Sequence, residues 1–503
     1  MPDDDPDERL ADALERVAHG AVVSIPSTLT QRLLTLAFTA LLTNGFSAGA
    51  YGLFVLARRI QRFLRSLTRS FTTGLSRYIP NTDTDTDRDV IATFALTLAV
   101  GAATVFGTVL YLAVPEIGRL TGKGTQFELY LRVFALGLPA AVWLTFAGSL
   151  LQSLEEITPM NLTLRIGFPA FQLVAAGVGL WLGSLLAVAV GVLVVSAVGG
   201  TVALAWLARE RGLRPRYRGP TASSLRRRYL RYTAPLFASS IATTVQRLGF
   251  YPLIAVFLTS TAGAVFAVGE LIGVLVRLPL FGINQLMPPV AATLYGDEHH
   301  EALARLYHAT SRLVLVGVTG LAVPVVVFRR AVMALFGPTF VEYAHLLPAF
   351  VLAQWIACAA GSVGILLMMT DHQRAMFLVN AAITSALVVV SIPLTRRYGL
   401  SGVVAVYLLM LSLNNTLEVV VLWRLEDLQP LTLAHLKPVA AAVPLGVVTV
   451  VGHRLVPGLA GALAATAVGL VVYAAVLLWL GFAPAERQLV GTLADRYRTV
   501  TIG

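Results

Sequence analysis

The segment YGLFVLARRIQRFLRSLTRSFTTGLSRYIP (51–80) carries the clearest chemical signal in the sequence. At about 100° per residue, Arg58, Arg62, Arg65 and Arg69 fall within an arc of roughly 60° on a helix. They form a single stripe ~16 Å long at about 1.5 Å per residue. Leu, Phe and Ile occupy the opposite face. A guanidinium is planar, keeps its charge, and grips a phosphate through two parallel hydrogen bonds. A row of four is expected to bind an anion, with a phosphorylated or pyrophosphorylated molecule as its natural ligand.

Energetics restrict where the row can lie. Each arginine costs about 2.5–3.5 kcal/mol at the centre of a lipid-facing helix, so four approach ~10–14 kcal/mol. Snorkelling rescues one or two near the ends, not a row along the membrane depth. The stripe therefore either lines a hydrated cavity or lies flat on the membrane surface. A surface helix would invert every later loop and turn the most basic one outward, against the charge rule, so the cavity reading is adopted. A voltage sensor repeats arginine every third residue, and no pore loop accompanies this stripe.

The surrounding chain must supply a membrane scaffold. It has 503 residues, 56% hydrophobic and only 13% charged, with a mean hydropathy of +0.75. Soluble domains run nearer a quarter charged. Apolar stretches of about 20 residues recur along the sequence, the signature of an all-α polytopic membrane protein. Fourteen spans are expected: 21–43, 51–76, 90–114, 127–150, 157–182, 184–207, 230–258, 263–288, 308–328, 344–369, 375–395, 400–424, 438–453 and 459–481. One cysteine, Cys358, excludes a disulfide scaffold.

Charge sets the orientation. The net charge is +11, and only Lys123 and Lys437 among 38 basic residues are lysine. The pI near 10.0 reflects positive-inside loops and attraction to anionic lipid; no nucleic-acid-binding motif is present. RERGLRPRYRGPTASSLRRR dominates the basic loops and places both termini in the cytosol. The acid-rich N-terminus has the wrong sign for a signal peptide.

The expected division is a cytosolic amphipathic segment (1–20), an N-lobe of helices 1–6 (21–207), a basic linker (208–229), a C-lobe of helices 7–12 (230–425), an appended pair (438–481) and a cytosolic tail (482–503). The six-helix lobes look like a repeat. Helix 2 opens AGAYGLFVLA at Ala48, and helix 8 opens AGAVFAVGEL at Ala262. NTDTDTDRD (81–89) reads as a polar, acidic, low-complexity loop.

Other polar residues fall inside the spans. Arg32, Arg247 and Arg277 are secondary candidates for anion contact. Glu270 shares a face with Arg277 and is a candidate for coupling or gating, against a simple neutralising role. Glu418 with Asn414 and Asn415 reads as an interhelical hydrogen-bond cluster. His372 and Arg374 read as solvated loop residues. Asn161-Leu-Thr163 matches a glycosylation sequon but falls near a cytosolic helix end. His299 and His300 lack a second ligand pair spaced for a metal. No catalytic motif appears, so no enzyme activity, metal or cofactor is expected.

These motifs together resemble the polysaccharide exporter branch of the multidrug/oligosaccharidyl-lipid/polysaccharide superfamily, the lipid-linked oligosaccharide flippases. AGAYGLFVLA is similar to the family's opening of helix 2. ALFGPTFVEYAHLLPAFVLAQW (334–355), MMTDHQRAMFLVNAAI (368–383) and IPLTRRYGLSGVVAVYLL (392–409) follow in the family's order. The resemblance spans most of residues 20–425. It implies two six-helix lobes, a central cavity, and alternating-access transport of a polyprenyl-(pyro)phosphate-linked oligosaccharide across the cell membrane. Implied partners are the lipid-linked glycan, membrane lipids and glycosyltransferases of the same pathway, with the chain acting as a monomer. Two departures stand out. Helix 2 is far more charged than is usual in the family, and helix 1 carries Arg32 where drug-exporting relatives have an acidic cation site. The rival readings are an exporter of small organic anions and a non-transporting scaffold of a glycan assembly complex.

Overall fold

The computed structural model describes residues 6–82, 84–219, 221–284, 287–456 and 458–481. The C-terminal tail, with Arg487, Arg496 and Arg498, lies outside the described residues. Every described element is helical, and the chain is an all-α polytopic membrane protein. Eight described helices are long and apolar enough to cross a membrane, nine when one bent pair is counted as a span. The chain divides into two compact units, residues 30–267 and residues 1–29 with 268–503.

In the first unit the order is α1 (Pro6–Gly45, which begins in the other unit), α2 (Ala48–Thr68), α3 (Ser70–Thr73), α4 (Leu75–Tyr78), α5 (Asp85–Thr121), α6 (Thr125–Leu136), α7 (Leu138–Ser153) and α8 (Ile157–Met160). A π-helical stretch, Asn161–Gly167, then leads into α9 (Phe168–Trp181), α10 (Leu185–Glu210), α11 (Ala222–Leu248), α12 (Phe250–Phe257) and the start of α13 (Ser260–Val276). The expected N-terminal segment and first span are one continuous helix from Pro6. The basic linker does not separate the two units. Helix α11, which follows it, packs on the N-terminal bundle through Tyr229, whose hydroxyl donates to the Phe71 carbonyl at 2.6 Å.

Local chemistry explains the breaks. Pro139 cannot donate a backbone hydrogen bond, and α6 and α7 meet at a 43° bend beside it. In the π-helical stretch the Phe168 N–H reaches Thr163 O, five residues back, just ahead of Pro169. Gly52 lets α2 approach the start of α13 closely, since a Cβ there would lie 1.9 Å from the Ser260 carbonyl oxygen. The core of this unit joins α4, α5, α7, α10 and α11 through Leu75, Ile91, Phe146, Leu150, Leu207 and Tyr229.

The second unit continues through α14 (Leu278–Ile283), α15 (Met287–Gly296), α16 (His300–Val327), α17 (Arg329–Ala334), α18 (Pro338–Val341), a 3-10 turn (Ala344–Leu346), α19 (Leu347–Ala359), α20 (Val363–Met369) and α21 (Gln373–Glu426). It ends with a 3-10 turn (Leu433–His435), α22 (Leu436–Leu455) and α23 (Leu459–Leu480). Helix α21 is two spans joined at Gly399, whose φ of 59° and ψ of −134° only glycine adopts readily. The appended pair α22–α23 is fixed to α16 by polar caps as well as by apolar packing. Lys437 Nζ donates to the carbonyls of Leu480 and Gly481 at 2.7 and 3.1 Å, and Arg312 Nη2 donates to Gly481 O at 3.2 Å. Both cations sit at the negative end of α23.

The two units reuse one turn. After α7, Glu155 has φ 60°, and the Glu156 N–H bonds Leu151 O at 2.9 Å. After α20, Asp371 has φ 62°, and the His372 N–H bonds Leu367 O at 2.8 Å. Each turn then clasps the end of a later helix. Glu156 pairs with Arg211 at the end of α10, and His372 Nε2 meets Glu426 Oε1 at 2.6 Å at the end of α21. His372 is thus a structural partner of Glu426, not a merely solvated residue. Two helix openings are capped alike within the unit 30–267: Ser47 caps Ala50 N at 3.2 Å, and Thr259 caps Ala262 N at 3.2 Å.

Candidate functional site

Helix α2 presents Arg58, Arg62 and Arg65 on one face, and Arg69, at its C-terminal boundary, keeps αR geometry and extends the row. Arg58, Arg62 and Arg65 are half-buried, and Arg69 is exposed. The same face runs N-terminally into buried Tyr51 and Phe54, so it belongs to the packed side of the helix. Like charges stand close along the row: Arg58 feels Arg59 and Arg65, and Arg65 feels Arg69.

Aromatic rings hold several of these side chains. The Arg58 guanidinium lies 5.0 Å from the Phe38 ring of α1 and 5.9 Å from Phe54, one turn earlier on α2. Arg59 lies 4.5 Å from Tyr251 of α12, and Arg77 lies 4.6 Å from Tyr232 of α11. A ring face attracts a cation without cancelling its charge. Among the described residues Arg58, Arg65 and Arg69 form no ion pair.

The hydrogen-bond ladder of the helix changes just past the row. Thr68 Oγ1 donates to Arg65 O at 2.8 Å, Ser70 Oγ to Leu67 O at 2.8 Å, and Thr72 Oγ1 and Thr73 Oγ1 both to Arg69 O at 2.9 and 3.1 Å. Such back-bonding competes for helix carbonyls and loosens the rod. The run SLTRSFTTG thereby splits the expected second span into α2, α3 and α4.

Two other helices flank the row. Thr244 Oγ1 of α11 lies 3.1 Å from Ser66 Oγ, while Tyr251 meets Arg59 and Tyr229 meets Phe71, so α11–α12 run antiparallel to α2. This register sets Arg247, which is exposed, level with the middle of the stripe near Arg62. Arg32 lies on α1, which also supplies Phe38, and is half-buried. On the other side Gln61, buried, donates to Phe134 O of α6 at 2.9 Å and fixes the rotation of α2.

Arg277 and Glu270 belong to the other unit. The Arg277 guanidinium lies 5.8 Å from the Phe281 ring. In the same unit Glu418, buried, accepts from Asn380 Nδ2 at 2.9 Å and Asn414 Nδ2 at 3.0 Å, as expected of an interhelical cluster. Asn415 instead donates to its own helix, at Leu411 O. The His300 ring packs edge-on to Tyr295 at 5.3 Å, and among the described residues no three His, Cys, Asp or Glu side chains are placed to share a metal.

The linker arginines have different surroundings. Arg216 bonds Thr86 Oγ1 at 2.7 Å through Nη1, and its backbone N–H bonds Thr93 Oγ1 at 2.9 Å. Its Nε lies 3.8 Å from Asp89, a buried carboxylate that Arg88 also approaches at 3.6 Å. Arg88 further donates to Arg211 O at 3.0 Å, Tyr217 reaches Thr97 at 3.4 Å, and Thr221 bonds Asp87. Thr86, Asp89, Thr93 and Thr97 recur every three or four residues, forming a polar face of α5 on which the linker lies as a strap. The acidic loop and basic linker, read separately in the sequence, are halves of one contact.

The fold is that of transporters of the multidrug/oligosaccharidyl-lipid/polysaccharide superfamily. The chain aligns with the lipid II flippase MurJ in an inward closed conformation at a TM-score of 0.71 and 10% identity, covering 90% of this chain and 96% of that one. An inward-facing multidrug resistance transporter of the MATE family gives a TM-score of 0.62 at 16% identity, covering 82% and 94%. A superfamily transporter from Pyrococcus furiosus, described as having a binding pocket of reversed polarity that suggests a different function, gives 0.56 at 16% identity, covering 83% and 96%. No protein-family model and no curated protein sequence matches the chain.

Proposed function

We propose that this protein is a flippase that moves a polyprenyl-(pyro)phosphate-linked oligosaccharide or polysaccharide precursor across the cytoplasmic membrane by alternating access. The observation that carries the reading is the arginine row of α2, in which Arg58, Arg65 and Arg69 have no ion pair among the described residues. Like charges held in a row repel one another, and a ligand phosphate relieves that repulsion while accepting bidentate hydrogen bonds. Arg58, Arg62, Arg65 and Arg69 contact the phosphate, with Arg32, Arg247 and Arg277 in secondary roles and Glu270 in coupling or gating. Both termini face the cytosol, the chain works as a monomer, and glycosyltransferases of the same pathway supply the substrate.

Similarity to a lipid II flippase supports a lipid-linked cargo. The Pyrococcus neighbour supports the further point that pocket polarity varies on this fold, so a cationic site is compatible with it. The test is transport of lipid-linked sugars in proteoliposomes. Wild-type protein is expected to expose the glycan on the far leaflet, and the Arg62→Gln/Arg65→Gln variant to insert normally but not transport. Wild-type rates in that variant would sink the assignment. Transport of soluble organic anions with no movement of lipid-linked sugars would replace it with the small-anion exporter.

A further inference from the structure

The arginines at the strap differ in their partners: Arg226 donates to the Ala222 and Tyr217 carbonyls, and most of the others fall into two sets. Arg88, Arg211 and Arg216 are neutralised by Asp85, Asp89 and Glu156. Arg209, Arg214, Arg218, Arg227, Arg228 and Arg231 are exposed, and among the described residues their side chains have no ion-pair or hydrogen-bond partner. Residues 208–231 contain a single acid, Glu210. Six uncompensated guanidiniums therefore crowd a short segment whose backbone is fixed by the first set.

Connectivity sets the height of this segment. It joins the end of α10, a helix long and apolar enough to cross a membrane, to the start of α11. It lies along the first three turns of α5, another such helix. Tyr217 and Leu230 are exposed among the arginines, at 59% and 41%. A tyrosine and a leucine among cations, at the end of membrane-crossing helices, match the boundary between headgroups and acyl chains.

We infer that the strap and the first turns of α11 form a docking surface for anionic lipid headgroups of the leaflet on the linker's side. The inner set of arginines builds the platform, and the outer set meets the lipid phosphates. Charge complementarity selects the occupant: a fixed cationic surface at membrane height faces a leaflet whose anionic lipids supply the opposite charge. This surface is separate from the arginine row of α2, and its existence does not depend on the cargo.

The full chain, reconstituted in nanodiscs of phosphatidylcholine containing a minor fraction of phosphatidylglycerol, provides the test. Lipids retained after extraction are counted by native mass spectrometry. Wild-type protein should retain phosphatidylglycerol over phosphatidylcholine, and added salt should weaken the preference. Each guanidinium lost should reduce the preference about fivefold, so Arg214→Gln/Arg218→Gln/Arg227→Gln should lower it on the order of a hundredfold. The corresponding triple Lys variant keeps the charge and should retain most of the preference, which separates lost attraction from lost folding. Arg62→Gln/Arg65→Gln should leave lipid retention unchanged even where transport is lost. No lipid preference in the wild type, equal preference in the Gln triple, or retention of soluble polyanion in place of lipid would each overturn the inference.

Discussion

Arginine does opposite work in two places of the unit spanning residues 30–267. At the strap, Arg88 and Arg216 meet Asp89 of α5 and Arg211 meets Glu156 after α7, so their charge is spent on fixing the linker. On α2 and just beyond it, Arg58 and Arg77 rest against the rings of Phe38 and Tyr232. A carboxylate fixes a guanidinium and neutralises it; an aromatic face fixes it and leaves the charge available. The number of arginines therefore says little about an anion site. Their partners decide.

The largest expected effect comes from removing charge from the row. Arg62→Gln/Arg65→Gln gives up two charge-assisted contacts of about 1.5–3 kcal/mol each, which predicts more than ~100-fold slower transport of lipid-linked sugar at unchanged expression in the membrane. Making α2 imitate the strap is the next test. Arg69→Glu sets a carboxylate four residues after Arg65, in position to neutralise it. Initial transport rates should fall about 10- to 100-fold, more than in Arg69→Gln; equal rates in the two variants would break the distinction between masked and available charge.

Smaller effects test the rings and the strap. Phe38→Leu keeps an apolar side chain but removes the face over which Arg58 lies. Loss of a cation–π contact of about 0.5–2 kcal/mol should weaken cargo affinity roughly 2- to 30-fold, read as a rise in KM with the maximal rate preserved. Asp89→Asn leaves the strap arginines without their buried anion. It should lower the stability of the protein by about 1–3 kcal/mol, seen as a lower Tm, and change transport less than any variant of the row. The exposed Glu156–Arg211 clasp should matter least: Glu156→Gln should alter stability by about 1 kcal/mol or less.

Much of the fold is legible in hydropathy because lipid imposes a long apolar stretch on every crossing helix. The expected spans fall on helices from α1 to α23, including the junction between spans 11 and 12 at Gly399. Expected and observed boundaries differ most where polar chemistry intervenes. α2 ends early because four hydroxyls between Thr68 and Thr73 compete for its carbonyls, an effect that hydropathy ignores. Of the candidate site, the helical stripe follows from spacing alone, and Phe54 is visible one turn before Arg58. Phe38 and Tyr251 are not, because they reach the row from α1 and α12 and no local spacing connects them. Lys123 and Lys437 count as loop charges in the sequence, yet both cap helix ends, Lys123 at Leu258 O at 2.5 Å and Lys437 at the end of α23. Nor does any local rule join Asp89 to Arg216; that pairing exists only once the linker folds back over α5.

The paired clasps of the two units place their acids on opposite partners. In one the acid, Glu156, is on the turn and the cation, Arg211, on the helix end; in the other the turn carries His372 and the helix end carries Glu426. A turn that closed on the helix end of the wrong half during folding would set Glu156 against Glu426, or His372 against Arg211. The first pairing sets two carboxylates against each other, and the second joins two side chains with no carboxylate between them. Each turn is thus matched to the helix end of its own unit, and the helix end of the other unit offers it no such ion pair.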